Sequence, residues 1–524
     1  MMYSVITNHV KAFDVLGSPY LEQKGLDDSE FGRGFFERHS LSSLSGFFAL
    51  LSHEDEFVRL VVDRVRSIPL FYAVKNDKIL FSSNYAWLHS ELQQNEECEQ
   101  GKAEFALTGY VCADRTLSKQ IKQVEAGQEV IICKRTGTVS KSNYFLFQHH
   151  EPEVQVESLY VEQLDKAVKA VFKRLIEFAA GRQIVLPLSG GFDSRLIAST
   201  IKQLGYQNVV CFSYGLTGNK EATLSKQIAT GLGFQWYFVE YNEDKWRNAW
   251  FSDEADEFRE MASNGVSLPH IQDWLAVREL KDKQLISSDA VFVPGHSGDF
   301  VAGSHIPDIV FEQQQFSKSD LTSHLLTDHY KNVPRRLIET QTFNRIKVSL
   351  QQQLSDGDVL NAEAFANQYE LWDWRERQAK YIINSVRVYE FFGMQWWLPL
   401  WDKEFVEFWC EMPLQYRKKR LWYNAYVADR FKSVVGAQSE IADKNAADFS
   451  FARKLAHRLY QVMPTPLKQF IYGKKLRNDF DNHFLAFGAL LSDEQKDEYA
   501  KFGYTMIGIY SLLFLQSRWG NKES

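Results

Sequence analysis

The stretch that decides the fold runs from Ile184 to Ser194 and reads Ile-Val-Leu-Pro-Leu-Ser-Gly-Gly-Phe-Asp-Ser. Ile184–Leu188 predicts a strand, and the residues after the glycines predict a helix from Asp193 to Leu204. The two consecutive glycines allow positive φ angles and a close approach of the backbone to a ligand. The N–H groups of such a turn and of the following helix N-terminus form a cradle for an anion. The stretch therefore predicts a phosphate-binding loop between a strand and a helix.

Side chains of the same loop suit a magnesium-bound polyphosphate. Ser189 and Ser194 supply hydroxyl donors on either side of the glycines. The carboxylate of Asp193 repels phosphate, so we expect it to bind a Mg²⁺ ion that bridges phosphate oxygens. The alternative is an ordinary tight turn, although five specified residues within six rarely arise by chance.

Predicted strands and helices alternate around this loop. Strands are expected at Val209–Tyr214 and Trp236–Tyr241, and helices at Ser158–Ala180 and Glu221–Leu232. Such alternation is typical of an α/β fold with a doubly wound parallel sheet. From residue 255 to residue 520 the periodicity predicts mostly helix. One long helix has an apolar face formed by Leu371, Trp374, Tyr381, Ile382, Val386 and Tyr389.

Residues 1–150 predict a different domain, rich in β-structure (α+β). Short apolar runs at 46–51, 58–62, 68–72 and 129–133 are separated by turn residues. The polar stretch Gln148–Glu153 predicts a linker. We therefore expect one domain at 1–150 and a second at 155–524.

Composition excludes several classes of protein. The net charge is −7 and the pI is 6.1, which gives no electrostatic footprint of a nucleic-acid binder. The five cysteines (Cys98, Cys112, Cys133, Cys211 and Cys410) have no CxxC spacing, so no zinc or redox motif is predicted. No run reaches the ~18–20 apolar residues that span a bilayer, and the N-terminus lacks a signal-peptide pattern. We expect a cytoplasmic protein that binds neither nucleic acid nor membrane.

The loop resembles the pyrophosphate loop, Ser-Gly-Gly-x-Asp-Ser, of the N-type ATP pyrophosphatases, and Leu186–Ser194 is similar to their asparagine synthetase branch. Pro294–Gly303 resembles that family's second motif, Ser-Gly-Glu-Gly-x-Asp-Glu-x-x-Gly. Leu398–Phe405 is similar to its Val-Pro-Phe-Leu-Asp-x-x-Phe segment, and Ala442–Asn445 falls where the family has Arg-x-Lys. The resemblance spans residues 180 to 450.

This resemblance implies ATP and Mg²⁺ as ligands and a role for each matching residue. The residues expected to hold pyrophosphate are Ser189, Gly190, Gly191, Asp193 and Ser194. Asp193 and Asp299 would bind Mg²⁺, and Leu188 and Gly295 would contact adenosine through their backbones. Lys444 would stabilise negative charge that develops in the transition state. The alternatives are a turn aspartate at Asp299 and a solvated loop lysine at Lys444.

The N-terminal region resembles the family's Ntn-like glutaminase domain at Ser45–Ala49 and at Asp63–Tyr72. A working glutaminase of that type uses an N-terminal cysteine, whereas position 2 is Met2 and the first cysteine is Cys98. No Asn-Gly-Glu glutamine-binding stretch is found. We therefore expect a vestigial domain that keeps the fold without the activity. In this respect the chain is more similar to β-lactam synthetase and the lasso-peptide cyclases, which use an amine.

His296 is the second departure, because asparagine synthetases carry Glu and β-lactam synthetase carries Tyr at this position. The position faces the acyl substrate in the family, so a different acid is implied. Glu390 falls where β-lactam synthetase has a catalytic Glu, and it could orient the His296 ring. We therefore hypothesise that His296, with Glu390, accepts a proton from an incoming amine. The alternatives are a loop histidine and a carboxylate at a helix end.

Together these features predict an AMP-forming amide ligase that adenylates a carboxylate and transfers the acyl group to ammonia or an amine. The acid could be a small molecule, a peptide side chain or a sugar uronate, and polysaccharide or natural-product tailoring is suggested only by family analogy. An ammonia-dependent asparagine synthetase, a tRNA-modifying pyrophosphatase and a non-catalytic regulatory homologue remain alternatives. A homodimer is one expectation for the assembly.

Overall fold

Two β-sheets built from residues 4–143 form the N-terminal part of the molecule. The computed structural model describes residues 4–516 apart from 10, 28, 32–33, 93–95, 355–356, 358, 437–462 and 484–486. The strands are β1 (Ser4–Thr7), β2 (Phe13–Leu21), β3 (Lys24–Gly25), β4 (Leu44–His53), β5 (Phe57–Val62), β6 (Phe71–Lys75), β7 (Lys78–Ser82), β8 (Lys122–Gln123), β9 (Gln128–Cys133) and β10 (Val139–Asn143). The helices are α1 (Phe35–Arg38), α2 (Tyr85–Glu91) and α3 (Glu99–Thr108).

The two sheets pack face to face across one apolar layer. One sheet has the order β1-β7-β6-β8 and the other has the order β10-β9-β5-β4-β2-β3. Buried side chains such as Leu60 of β5 and Phe81 of β7 belong to one cluster that joins the sheets. Asn76 and Asp77 have φ angles of 51° and 55° and close the β6–β7 hairpin at the predicted turn. The predicted strand at 68–72 begins only at Phe71, after Pro69, which has no N–H to donate.

The second sheet is parallel and has the order β13-β12-β11-β14-β17. Its strands are β11 (Ile184–Pro187), β12 (Val209–Gly215), β13 (Gln235–Glu240), β14 (Val291–Phe292) and β17 (Gln395–Trp396), and a separate hairpin pairs β15 (Gln315–Ser317) with β16 (Val359–Asn361). The helices up to the end of β14 are α4 (Glu157–Ala179), α5 (Phe192–Gln203), α6 (Lys220–Leu232), α7 (Glu243–Trp250), α8 (Asp253–Ser263) and α9 (Trp274–Asp282). The predicted alternation of strands and helices, and the two-part fold, are confirmed.

The rest of the described chain is largely helical, as predicted. Its helices are α10 (Gly298–Val301), α11 (Lys318–His329), α12 (Thr340–Gln353), α13 (Ala362–Asp373), α14 (Arg387–Phe391), α15 (Lys403–Cys410), α16 (Leu414–Arg417), α17 (Leu421–Val435), α18 (Thr465–Asp481), α19 (Asp493–Phe502) and α20 (Met506–Leu515). Between α13 and α14 the backbone stays helical but changes type, with a π-helical stretch at Trp374–Ile382 and a 3₁₀ turn at Ile383–Val386. Such π stretches often occur at functional sites.

The N-terminal sheets are joined to the rest of the molecule by buried polar contacts. Asp402 accepts hydrogen bonds from the Gly46 backbone N–H (3.2 Å) and from Arg174 Nε (2.8 Å). Arg174 also pairs with Glu404 and is fully buried. Asp402 belongs to the segment that resembles the family's third motif, and in this structure it holds two parts of the fold together. The domain boundary near residue 150 stays a prediction.

None of the described helices is long and apolar enough to cross a lipid bilayer.

Candidate active site

The glycine-rich loop lies at the carboxyl end of β11, where ligands bind in parallel α/β sheets. Gly190 has a φ angle of 76°, which favours glycine. Gly191 is the N-cap of α5 and gives no side-chain cap, so the first N–H groups of this helix remain available to an anion. Arg195 donates a hydrogen bond from Nη2 to the Gly190 carbonyl oxygen (3.1 Å), which holds the loop against the start of α5. The loop has the backbone geometry of an anion cradle.

The serine hydroxyls of the loop lie close to each other. Ser189 Oγ and Ser194 Oγ are 3.5 Å apart, and Ser189 Oγ accepts a hydrogen bond from the Gly191 N–H (3.3 Å). The backbone N–H and carbonyl groups of Leu188, which were expected to contact adenosine, already have hydrogen-bond partners within the protein. Its N–H donates to the Phe212 carbonyl oxygen, and its own carbonyl accepts from Ser213 Oγ (2.7 Å) and Ser225 Oγ (2.6 Å). A contact of Leu188 with adenosine through these groups stays a prediction.

Asp193 and Asp299 face each other across the junction of the two predicted motifs. Asp193 Oδ2 accepts a hydrogen bond from the Asp299 backbone N–H (3.0 Å). Asp193 Oδ1 is buried and makes no hydrogen bond of ordinary geometry within the described structure, although the Tyr423 hydroxyl lies near the carboxylate and lowers its pKa. Burial and the charge of Asp299 raise the pKa of Asp193 to about 7. An orphaned oxygen on a carboxylate beside a second carboxylate fits a hard divalent cation with oxygen ligands, so these residues suit Mg²⁺.

Two glycines allow this close approach. A Cβ atom at Gly295 would lie 3.2 Å from the Ser194 backbone nitrogen. A Cβ atom at Gly298 would lie 2.8 Å from Asp193 Oδ1 and 2.7 Å from the Tyr423 hydroxyl, which is too close without a shift. The glycines of the second motif therefore bring its loop against the first.

A cavity of about 320 Å³ opens beside the carboxylate pair. Its wall includes Ser189, Gly191, Asp193, Ser194, Tyr214, His270, Gln272, Asp273, Gly295, His296, Asp299, Tyr389 and Arg420. A neighbouring cavity of about 450 Å³ shares Pro187, Ser189, Tyr214 and Gln272 with the first and extends along β12 towards α6. The loop thus lies between two adjoining spaces, which together could hold a nucleotide and a second substrate.

Arg420 supplies a cationic group beside the carboxylates. It lines the cavity, and its Nη1 lies 3.9 Å from Asp299 Oδ2. It precedes α17 with a φ angle of 53°, in the left-handed region. Lys444, the predicted cation, lies outside the described residues, so its role stays a prediction. Arg420 belongs to none of the motifs recognised in the sequence.

His296 lies in the cavity wall, where its Nε2 is 2.8 Å from Ser385 Oγ. Burial lowers the pKa of His296 to about 4, with the negative charge of Asp299 acting in the opposite direction. Glu390 contacts other groups: it pairs with Arg387 Nη1 (2.6 Å) and accepts from Trp396 Nε1 (2.9 Å). It lines a separate cavity of about 500 Å³ between the N-terminal sheets and α8. The structure thus brings Ser385, rather than Glu390, to the histidine ring.

An aspartate–tyrosine pair in the same cavity was not recognised from the sequence. The Tyr389 hydroxyl donates to Asp273 Oδ2 (2.6 Å). The sequence predicts Tyr389 only as part of an apolar helix face, and Asp273 belongs to none of the recognised motifs. The distinguishing feature is visible only in the structure, where Asp273 precedes α9 and makes no side-chain cap.

The parallel sheet, with the glycine-rich loop at the carboxyl end of β11, is the fold of an ATP-pyrophosphatase domain. Residues 162–484 match the family model described as "Asparagine synthase", which is more than half of the chain. The chain therefore belongs to the asparagine synthase family. Residues 34–145 match the model described as "Glutamine amidotransferase domain", which confirms the predicted relationship of the N-terminal domain. Membership of this family implies ATP as the nucleotide.

Individual relatives match only parts of the chain. A "Probable asparagine synthetase [glutamine-hydrolyzing]" of Acanthamoeba polyphaga mimivirus is 30% identical over 211 residues, 37% of this chain and 36% of that protein. The chain thus spans about a third of the length of this curated relative. Similar solved structures include NMN synthetase from Francisella tularensis (14% identity, 28% of this chain and 58% of that chain, TM-score 0.19). The NH3-dependent NAD synthetase from Campylobacter jejuni is another (12% identity, 38% and 98%, TM-score 0.21). TM-scores this low say nothing about the chemistry of this chain.

Proposed function

We propose that this protein is an AMP-forming amide ligase that adenylates a carboxylate at the expense of ATP and transfers the acyl group to ammonia or an amine. The observation that carries the proposal is the carboxylate pair Asp193 and Asp299 beside the uncapped start of α5. Family membership supports the same reading. The specific acid, and a role in polysaccharide or natural-product tailoring, remain part of the proposal.

Each group at the loop has a task in the first half-reaction. The N–H groups at the start of α5 and the hydroxyls of Ser189 and Ser194 would bind the β- and γ-phosphates. Asp193 and Asp299 would hold Mg²⁺, which neutralises phosphate charge and so favours departure of pyrophosphate. The cavity along β12, which Leu188 lines, would take the nucleoside, and Gly295 lines the adjoining cavity. The acid's carboxylate oxygen then attacks the α-phosphorus, and pyrophosphate leaves with the bonding electron pair.

Cationic side chains would stabilise the charge that develops during this step. Arg420 is positioned for it, because it lines the cavity beside Asp299. Lys444 is proposed for the same work on the resemblance alone. Losing a preplaced charge donor typically costs on the order of 10²–10³ in turnover. Comparing Arg420→Ala with Lys444→Ala would assign the role, and near-normal turnover in a folded variant would remove that residue from it.

The nitrogen is proposed to come from ammonia or an amine rather than from glutamine hydrolysed by this chain. Cys98 accepts a hydrogen bond at the start of α3, Cys112 is buried beside Tyr330, and Cys133 is the last residue of β9. The nucleophile of the family's glutaminase is an N-terminal cysteine, whereas these three cysteines lie within the folded N-terminal domain. The purified protein should release no glutamate from glutamine, and steady release would overturn this part of the proposal.

An ATP–pyrophosphate exchange screen tests the ligase directly. Labelled pyrophosphate should enter ATP only when the correct acid is present among L-aspartate, L-glutamate, N-acyl amino acids and glucuronate. Asp193→Asn should reduce exchange by about 10²–10³, whereas the exposed Asp282→Asn should leave it unchanged. Exchange that persists in Asp193→Asn would show that the carboxylate pair is not the adenylation site.

A further inference from the structure

Asp273 is a buried carboxylate that lacks a cationic partner within the described structure. Its exposed fraction is 6%, and it lines the same cavity as Asp193 and His296. Oδ2 accepts the hydrogen bond from the Tyr389 hydroxyl, the residue's own backbone N–H lies near the carboxylate, and Oδ1 makes no hydrogen bond of ordinary geometry among the described residues. A buried carboxylate without a cation or further donors is costly, because it gives up hydration for little in return. The arrangement therefore points to a ligand that completes it.

The pair is held rigidly, as a binding group should be. Tyr389 stacks on Phe292 of β14 with a ring-centroid distance of 4.3 Å and an interplanar angle of 14°. The residue before Asp273 is fixed by the Tyr241 hydroxyl, which donates to the Gln272 carbonyl oxygen (2.8 Å). The Asp273 carbonyl oxygen accepts from the Val277 N–H (2.9 Å) at the start of α9. Asp273 is thus anchored to the sheet edge and oriented before any ligand arrives.

The wall of the cavity carries groups that suit ligands of opposite charge. The uncapped helix α5 and Arg420 suit anionic groups of a nucleotide. Asp273 offers a negative charge that repels phosphate and carboxylate but attracts an ammonium group. Burial raises the pKa of Asp273 to about 6, so the group is mainly ionised at neutral pH even without a ligand.

We propose that Asp273, oriented by Tyr389, binds the ammonium form of the nitrogen donor in the cavity beside the adenylation site. The inference rests on the proposed function and deepens it, because it names the donor's class as a primary amine or the ammonium ion. A tetraalkylammonium ion, which cannot donate hydrogen bonds, would not satisfy Oδ1. An amino group on the acid, or a ribose hydroxyl, is a competing occupant that the second experiment below distinguishes.

The first experiment measures binding and needs no turnover. The full chain is unfolded thermally with 100 mM methylammonium, ammonium or tetramethylammonium chloride at constant ionic strength. Methylammonium or ammonium, and not tetramethylammonium, should raise Tm by about 1–2 °C. The rise should disappear in Asp273→Asn and remain in Asp282→Asn, a matched change at the exposed far end of α9. Equal Tm values for the three salts in the wild-type protein would overturn the proposal, even if Asp273→Asn failed to fold.

The second experiment uses the acid identified by pyrophosphate exchange and varies methylammonium or ammonium. Asp273→Asn should raise the half-saturating amine concentration by about 10- to 100-fold and leave the half-saturating ATP and acid concentrations in exchange unchanged. Tyr389→Phe, which keeps the charge but loses its orientation, should give a smaller rise of the same kind. The amine with the lower half-saturating concentration in the wild-type protein identifies the class of the donor. A rise for ATP or for the acid instead would assign Asp273 to the nucleotide or to the acid and overturn the proposal.

The two experiments keep this inference separate from the proposed function. If no acid supports exchange but methylammonium stabilises the protein through Asp273, the ligase assignment fails and the ammonium site stands. If exchange occurs and neither amine binds through Asp273, the ligase stands and the ammonium site falls.

Discussion

Burial sets the charge states of the residues in the cavity. Asp193 and Asp273 both have raised pKa values, and the pKa values of His270 and His296 are lowered, in each case mainly by burial. The histidine rings are therefore neutral at pH 7. A general base works best when its pKa is near the working pH, so the ring of His296 is poorly matched to deprotonating an ammonium group.

His296 should act after adenylation, with a modest effect. We expect His296→Ala to leave acid-dependent pyrophosphate exchange largely intact and to lower amide formation by about 10–100-fold. This is below the 10²–10⁴ typical of a well-matched base. Ser385→Ala, which removes the partner of Nε2, should change amide formation in the same direction by less. If exchange and amide formation fell together in His296→Ala, the ring would instead bind the acid.

Asp273 should make stability depend on pH. Its pKa rises from 3.8 unfolded to about 6 folded, so between these values the folded protein holds a proton that the unfolded chain has lost. Stability from this group is fully present below pH 4 and is lost as the pH rises through 6, by about 3 kcal/mol. Tyr214 and Tyr389, which face it, stay neutral because burial raises their pKa values.

The amide side chain that Asp273→Asn introduces does not titrate. The difference in unfolding free energy between the variant and the wild-type protein therefore reports the titration of Asp273. Relative to the wild-type protein, the free energy of unfolding of Asp273→Asn should rise by about 3 kcal/mol between pH 3 and pH 8. Urea unfolding at several pH values gives this difference. A difference that does not change with pH would contradict the raised pKa.

The order of strands and helices around the loop was predictable because hydrophobic periodicity and glycine chemistry act locally. The observed strand Val209–Gly215 extends the predicted one by a single residue. The partner of His296 was not predictable. Between Asp373 and Arg387 the backbone changes from α to π to 3₁₀, so a 3.6-residue period no longer tells which side chains share a face. Tyr389 therefore lines the active-site cavity while Glu390 lines a different one.

One methyl group added at Gly298, where α10 meets the start of α5, should disturb the spacing of the carboxylate pair. Gly298→Ala would place a Cβ atom 2.8 Å from Asp193 Oδ1 and from Leu400 Cδ1, so the two carboxylates must move apart. We expect pyrophosphate exchange to fall by about 10²-fold, because displacing catalytic groups by about 1 Å costs this much. Gly34→Ala is the control, since a Cβ atom there meets only the Arg38 side chain at 3.7 Å. Full exchange in Gly298→Ala would show that the spacing of the pair is not critical.

At the scale of the whole molecule, a buried ion pair lies where the two parts meet, because Asp402 pairs with Arg174 of α4 and also accepts from the Gly46 N–H of β4. Arg174→Met would leave Asp402 buried without its cation, at a cost of about 3–5 kcal/mol in unfolding free energy. Arg135→Met is the matched control, because its pair with Glu56 is mostly exposed and should contribute within about 0.5 kcal/mol. Chemical denaturation followed by tryptophan fluorescence measures both variants. Equal stability would mean that Asp402 does not depend on Arg174.

The products of ATP cleavage test the central claim most directly. With the acid and the nitrogen donor present, ATP labelled separately at the α- and γ-phosphates should yield AMP and pyrophosphate in equal amounts with the amide. Neither product should form without the acid, and Asp193→Asn should form both about 10²–10³ times more slowly. ADP and inorganic phosphate as the main products would contradict adenylation, and with it the account of the loop and the carboxylate pair.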